Sequence, residues 1–198
     1  MPTKVQICNL ALVRVGQRDA ISSLADGSTA ADICNAVFDQ LRDTLLTSFP
    51  WPFAAKHAEL AVLSSAERTG WGLVYALPTD CLQARYIYAG KRNPTADQRI
   101  PFTVELNDAG SGRVLCTDLE DAELIYTAKV TVETAWPPLF CEALAWAVAR
   151  ELAMGLAVKP ELQVRAAQMA EMSLHRATAV SQDEKQERRP KSRFISGR

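Results

Sequence analysis

The side chains that could carry nucleophilic or metal chemistry in this chain are few: two histidines, His57 and His175, and five cysteines, Cys8, Cys34, Cys81, Cys116 and Cys141. Neither histidine sits in a His-x-x-x-His or Asp-x-His arrangement, so the ligand spacing of a zinc site is missing. The cysteines are odd in number and form no CxxC pair, which argues against a disulfide framework and a zinc knuckle. Each falls in an apolar stretch, as a small buried hydrophobe does, and a reducing compartment is expected. A Cys–His or Ser–His pair would have to be assembled by the fold alone, with His57 or Cys81 the residues to test as a hydrolase. The sequence holds no GxSxG, GxxxxGK[ST] or GxGxxG. The expectation is a non-enzyme with no cofactor and no metal.

Three further groups admit two readings each. Asp118, Glu120, Asp121 and Glu123 could hold a cation, but the DxDxDG spacing of a calcium loop is absent and a solvated turn is the better reading. Trp51, Phe53, Trp71, Tyr75, Tyr86 and Tyr88 could stack on single-stranded nucleic acid; with only Lys56, Arg68 and Arg85 interleaved, core packing is favoured. The last group is the C-terminal segment 185–198. It carries six basic residues (Lys185, Arg188, Arg189, Lys191, Arg193 and Arg198) against one acid, Glu187, a net charge of +5. A purely solubilising segment has no use for Phe194 and Ile195. An arm that docks on another protein has: its arginines pair with acidic rims while the apolar pair fills a pocket. DNA binding through the same cations is the rival reading.

The elements that must position these groups follow from periodicity. Thr3 with Gln6 can form a capping box, Val5, Cys8, Leu12 and Val15 recur at helical spacing, and Gly16 is a natural stop. Ser28 or Thr29 caps a second helix with an apolar stripe of Ile33, Val37, Leu41 and Leu45, widened by Phe38; Asp39, Arg42 and Asp43 fall on its other side. Phe49-Pro50-Trp51-Pro52-Phe53 ends it. Strand-like runs follow at 59–63, 71–77, 81–89, 100–106, 113–117 and 124–132, with Gly110-Ser111-Gly112 as a hairpin turn. After Trp136-Pro137-Pro138, residues 139–158 form a helix apolar nearly all round, suited to a bundle centre or a subunit interface. Pro160 starts a fourth helix with a narrow stripe of Leu162, Ala166, Met169 and Met172, and a Glu161–Arg165 pair on its wet side. The fold class is α+β: a four-helix body (1–52 and 137–184), an inserted antiparallel β subdomain (53–136) and an extended basic C-terminal arm (185–198).

With 198 residues and 48% hydrophobic content the chain can bury a real core. Its net charge of −1 argues against coating nucleic acid by bulk charge. Setting the C-terminal segment apart leaves a body of net charge −6. No uncharged run approaches the roughly 18 residues a membrane span needs, and the N-terminus lacks the basic-then-apolar order of a secretion signal.

The order and spacing of several segments resemble the head–tail adaptors of short-tailed bacteriophages, the tail tubular protein A family. They are Ile7-Cys8-Asn9-Leu10-Ala11-Leu12 with Val15-Gly16, Ile21-Ser22-Ser23-Leu24, Asp26-Gly27-Ser28, and Phe38-Asp39-Gln40-Leu41-Arg42-Asp43 leading to Pro50-Trp51-Pro52-Phe53-Ala54. Further on come Tyr75-Ala76-Leu77-Pro78-Thr79-Asp80-Cys81-Leu82, Leu124-Ile125-Tyr126-Thr127, Trp136-Pro137-Pro138-Leu139-Phe140 and the closing Phe194-Ile195-Ser196-Gly197-Arg198. The resemblance implies a virion component of the neck, assembled in the host cytoplasm. It would form a dodecameric ring of its own copies between portal protein and a tail nozzle protein, with tail fibre as a further contact. Genomic DNA would pass through the channel without specific binding, and no membrane is involved. On this reading Arg188, Arg189, Lys191, Arg193, Phe194, Ile195 and Arg198 form the portal dock.

Overall fold

The computed structural model describes residues 2–63, 68–90 and 94–184. Four helices and two three-stranded antiparallel sheets make an α+β fold. Helix α1 (Lys4–Arg14) starts on the capping box expected from Thr3 and Gln6, and α2 (Thr29–Ser48) on the Ser28 side chain, which accepts from the Ala31 N–H. Helix α3 (Pro138–Gly155) lies at the centre, packed by α1, α2 and α4 (Pro160–Asp183). Eleven of its side chains are buried, which accounts for an apolar surface on nearly every side.

Two helical expectations need correction. Arg42 was placed on the wet face of α2, but the buried face runs Ala31, Cys34, Phe38, Arg42, Leu45 and Leu46, with Arg42 only 4% exposed. Burial is tolerated because Asp39 and Asp43 on the same helix meet its guanidinium at 3.0 and 2.7 Å. On α4 the seam follows Ala166, Ala170, Ser173, Ala177 and Ser181, while Met172 is 63% exposed. Small side chains on α4 face the alanines of α3, so the two backbones approach closely; Met169 and Leu174 pack on the core beside the seam, while Val164, Met172 and Val180 are exposed.

The first sheet has the order β1 (Ala55–Glu59), β6 (Glu123–Ala128), β3 (Cys81–Tyr88); the second has β2 (Leu73–Ala76), β5 (Arg113–Thr117), β4 (Thr103–Leu106). The hairpin turn at 110–112 joins β4 to β5, where Asn107 Oδ1 accepts from the Ser111 and Gly112 N–H groups. The run expected at 59–63 is not a strand of its own. The strand is β1, an edge whose outward side chains are polar and therefore invisible to a search for apolar runs. Beyond it the chain crosses between sheets: Leu60 N–H donates to Ala122 O, and Leu63 N–H to Val74 O.

The helical core includes Trp51, Ala54 and Trp136 from the entry and exit of the strand region, whereas Tyr75, Leu115, Leu124 and Tyr126 form a second cluster shared by the two sheets. Polar ties join the parts. Arg85 donates to Trp51 O (2.8 Å) and Thr127 Oγ1 (2.9 Å), Arg113 donates to Cys81 O (2.6 Å), and Lys129 pairs with Asp43 at 3.0 Å.

Candidate functional site

The seven residues expected to dock on a partner (Arg188, Arg189, Lys191, Arg193, Phe194, Ile195 and Arg198) lie outside the described residues. Their base does not. Helix α4 delivers the chain to Glu184 at the edge of an apolar cleft of about 160 Å³, lined by Trp51, Pro137, Pro138, Leu139, Phe140, Ala177, Val180 and Ser181 as well as Glu184.

Local sequence explains each wall. The Pro-rich turn after α2 sets Trp51, whose indole N–H donates to Leu45 O at 2.7 Å and whose ring meets Phe140 edge-on at 5.4 Å. Trp136 is fixed in the same way by Val130 O at 3.1 Å. Pro137 and Pro138 then start α3 without a side-chain cap. The first bond of this helix runs from Cys141 N–H to Pro137 O, so the Leu139 and Phe140 N–H groups have no partner among the described residues. On the opposite wall Ser181 is 7% exposed, and its Oγ is the buried side-chain atom without a hydrogen-bond partner among the described residues. In the sequence Trp136-Pro137-Pro138 serves as punctuation and as part of the family resemblance, and neither points to a cleft. The available signal was an uncapped proline start opposite the end of a helix.

The residues weighed for catalysis are not brought together. His57 on β1 pairs with Ile125, and Cys81 on β3 pairs with Ala128, so the two flank β6 on opposite sides. Two strand spacings alone put roughly 10 Å between their backbones. His57 Nδ1 lies 3.3 Å from Glu123 Oε1, and its side chain is largely exposed. Burial pushes the Cys81 thiol above its ordinary pKa, away from a reactive thiolate. His175 is exposed on α4. All five cysteines are buried and free.

Asp118, Glu120 and Asp121 occupy the turn between β5 and β6, where Asp118 accepts from Gly72 N–H at 2.8 Å, and Glu123 is the first residue of β6. No group of three metal-ligating side chains is gathered among the described residues. Of the six aromatics, Trp51 and Tyr75 are fully buried and the others half-buried, which makes them packing residues.

Asp80 is held from two strands. Lys56 Nζ donates to it at 2.6 Å and Tyr126 Oη at 2.9 Å. The lysine contact holds its pKa below the usual carboxylate value, while burial and this carboxylate push Tyr126 up to about 12. Asp39 is likewise held low, by its hydrogen bond from Lys4 above all. These are structural ties between elements rather than an acid–base pair in a pocket.

Family models and curated proteins were compared with the chain, and none matches. Among the described residues, no helix is long and apolar enough to cross a membrane.

Proposed function

We propose that the chain is a structural component of a phage virion: a head–tail adaptor that packs beside copies of itself and joins the portal to the tail. The observation that carries this reading is the outer surface of the helical body. Leu10 and Val13 on α1, Met154 on α3, and Val164, Met172 and Val180 on α4 are between 42 and 70% exposed. Scattered apolar side chains are ordinary on a surface, but six on three neighbouring helices suit lateral contacts between subunits. The acidic body and basic C-terminal segment add a division of labour: the body would line a channel without gripping phosphates, and the segment would tether it to the portal. A tail nozzle protein would meet the strand region, and tail fibre is a further contact on this reading.

Electron microscopy of the protein mixed with purified portal tests this directly. A new ring of density on one end of the portal is expected; unchanged portal particles at saturating protein would sink the reading. The charge of segment 185–198 favours one alternative, a small DNA-binding module. It predicts a salt-dependent shift of short duplex DNA, where the adaptor reading expects little affinity.

A further inference from the structure

The cleft beneath the end of α4 has the features of a seat. Its walls are aromatic and aliphatic, and its volume of about 160 Å³ matches one aromatic ring; a cavity of ~150 Å³ takes benzene. At its floor the Leu139 and Phe140 N–H groups, at the uncapped start of α3, have no partner among the described residues. Uncapped N–H groups call for an acceptor. Glu184 adds a carboxylate at the rim, which favours a basic occupant.

The chain carries such an occupant. Arg193-Phe194-Ile195 puts two apolar side chains next to a cation, and it follows Glu184 closely in sequence. Phe194 lies ten positions after Glu184; a span of that length reaches up to roughly 33 Å, ample to turn back. A tether this short gives an effective concentration in the ~mM range, so a weak contact suffices. We propose that the cleft between α3 and α4 seats the chain's own Phe194–Ile195 pair, with main-chain carbonyls of that segment accepting from the Leu139 and Phe140 N–H groups. This deepens the portal-docking reading and rests on it: the same pair serves the portal, so seat and portal compete, and the arm is withheld until the portal draws it out.

Nuclear magnetic resonance of the full-length chain tests the seat, read at the Leu139 and Val180 methyls and by hydrogen exchange at the Leu139 and Phe140 amides. The double substitution F194A/I195A should move both methyl signals. It should also speed exchange at both amides at least ~5-fold, because an occupied seat protects them. V180R, at an exposed rim position, should speed the same two amides by repelling the basic segment. Melting temperatures of both variants, measured alongside, should fall by no more than about 4 °C, the cost of a contact worth ~5-fold, so that both stay folded. Identical methyl shifts and exchange rates in the parent and F194A/I195A overturn the proposal. So does an effect that vanishes on dilution, because the occupant would then come from a second copy. If the cleft signals stay still while F194A/I195A fails to join portal-containing heads, the seat falls and portal docking stands. If the signals move and heads join normally, the seat stands and portal docking falls.

Discussion

Arg42 shows how far one side chain departs from its ordinary surroundings. Its guanidinium is buried on a helical face, yet both carboxylates that hold it reach solvent and have second partners, Lys4 for Asp39 and Lys129 for Asp43. Removing the arginine therefore strands no buried charge, and the penalty should fall short of a broken buried ion pair. Arg42→Ala should lower the unfolding free energy by about 1–3 kcal/mol through lost packing and charged hydrogen bonds. Arg42→Met, which keeps the stem, should cost less than about 1 kcal/mol; urea titration at neutral pH measures both. Asp80 gives a pH-dependent counterpart. Its folded pKa lies below the unfolded value of 3.8, so its stabilisation is complete above that value and is lost as pH falls through the lower, folded one. Asp80→Asn keeps an acceptor for Tyr126 but removes the charge facing Lys56. It should be slightly less stable at pH 7 and lose stability less steeply below about pH 4. Equal slopes for the two proteins would remove Asp80 from the acid limb.

At the scale of elements, α1 and α3 end on the same motif with different residues in its key position. After α1, Gly16 N–H donates to Val13 O and Gln17 N–H to Leu12 O; after α3, Ala157 N–H donates to Met154 O and Val158 N–H to Ala153 O. Both are Schellman ends, and both turn the chain through a positive φ, +79° at Gly16 and +48° at Ala157. Glycine takes that conformation without strain, whereas alanine carries a Cβ penalty. Ala157→Gly should therefore raise stability by about 0.5–1 kcal/mol, and Gly16→Ala should lower it by about 1 kcal/mol; thermal unfolding of the two variants checks both signs. The contrast also explains what the sequence could reveal. Gly16 marked the end of α1 to the residue, but nothing in Leu156-Ala157-Val158 announced a turn, so α3 was expected to run to 158. Capping residues act locally and are legible. The seam of α4 was legible only in part: Ala166 and Met169 face the core, but Ala170, Ser173, Ala177 and Ser181 are chosen by the alanines of α3, a neighbour that single-helix periodicity does not register. The cleft escaped notice for the same reason: its walls come from 51, 137–140 and 177–184, which meet only in the fold.

At the scale of the whole molecule, the described fold and the C-terminal segment make separable contributions. The helical core is assembled from Ile7, Phe38, Trp51, Trp136, Phe140, Leu144 and their neighbours, and the last of its buried residues is Ala177. Every core side chain of the described residues therefore survives deletion of 185–198. It also shifts the net charge of what remains from −1 to −6, which favours solubility. The truncated chain should melt within about 4 °C of the parent, since it gives up only the seated contact, worth about 1 kcal/mol. It should also keep whatever self-association the outer helical surface supports, because Leu10, Val13, Met154, Val164, Met172 and Val180 all remain. On the proposed adaptor role, joining of portal-containing heads is what it should lose, and an in vitro complementation assay reads that loss. The two results have to be taken together. A truncated chain that folds and still completes heads would move the portal contact onto the helical body, where the exposed apolar side chains of α1 and α4 would be the next surface to mutate. A truncated chain that folds but fails to complete heads leaves the division between a packing body and a docking segment as the working account.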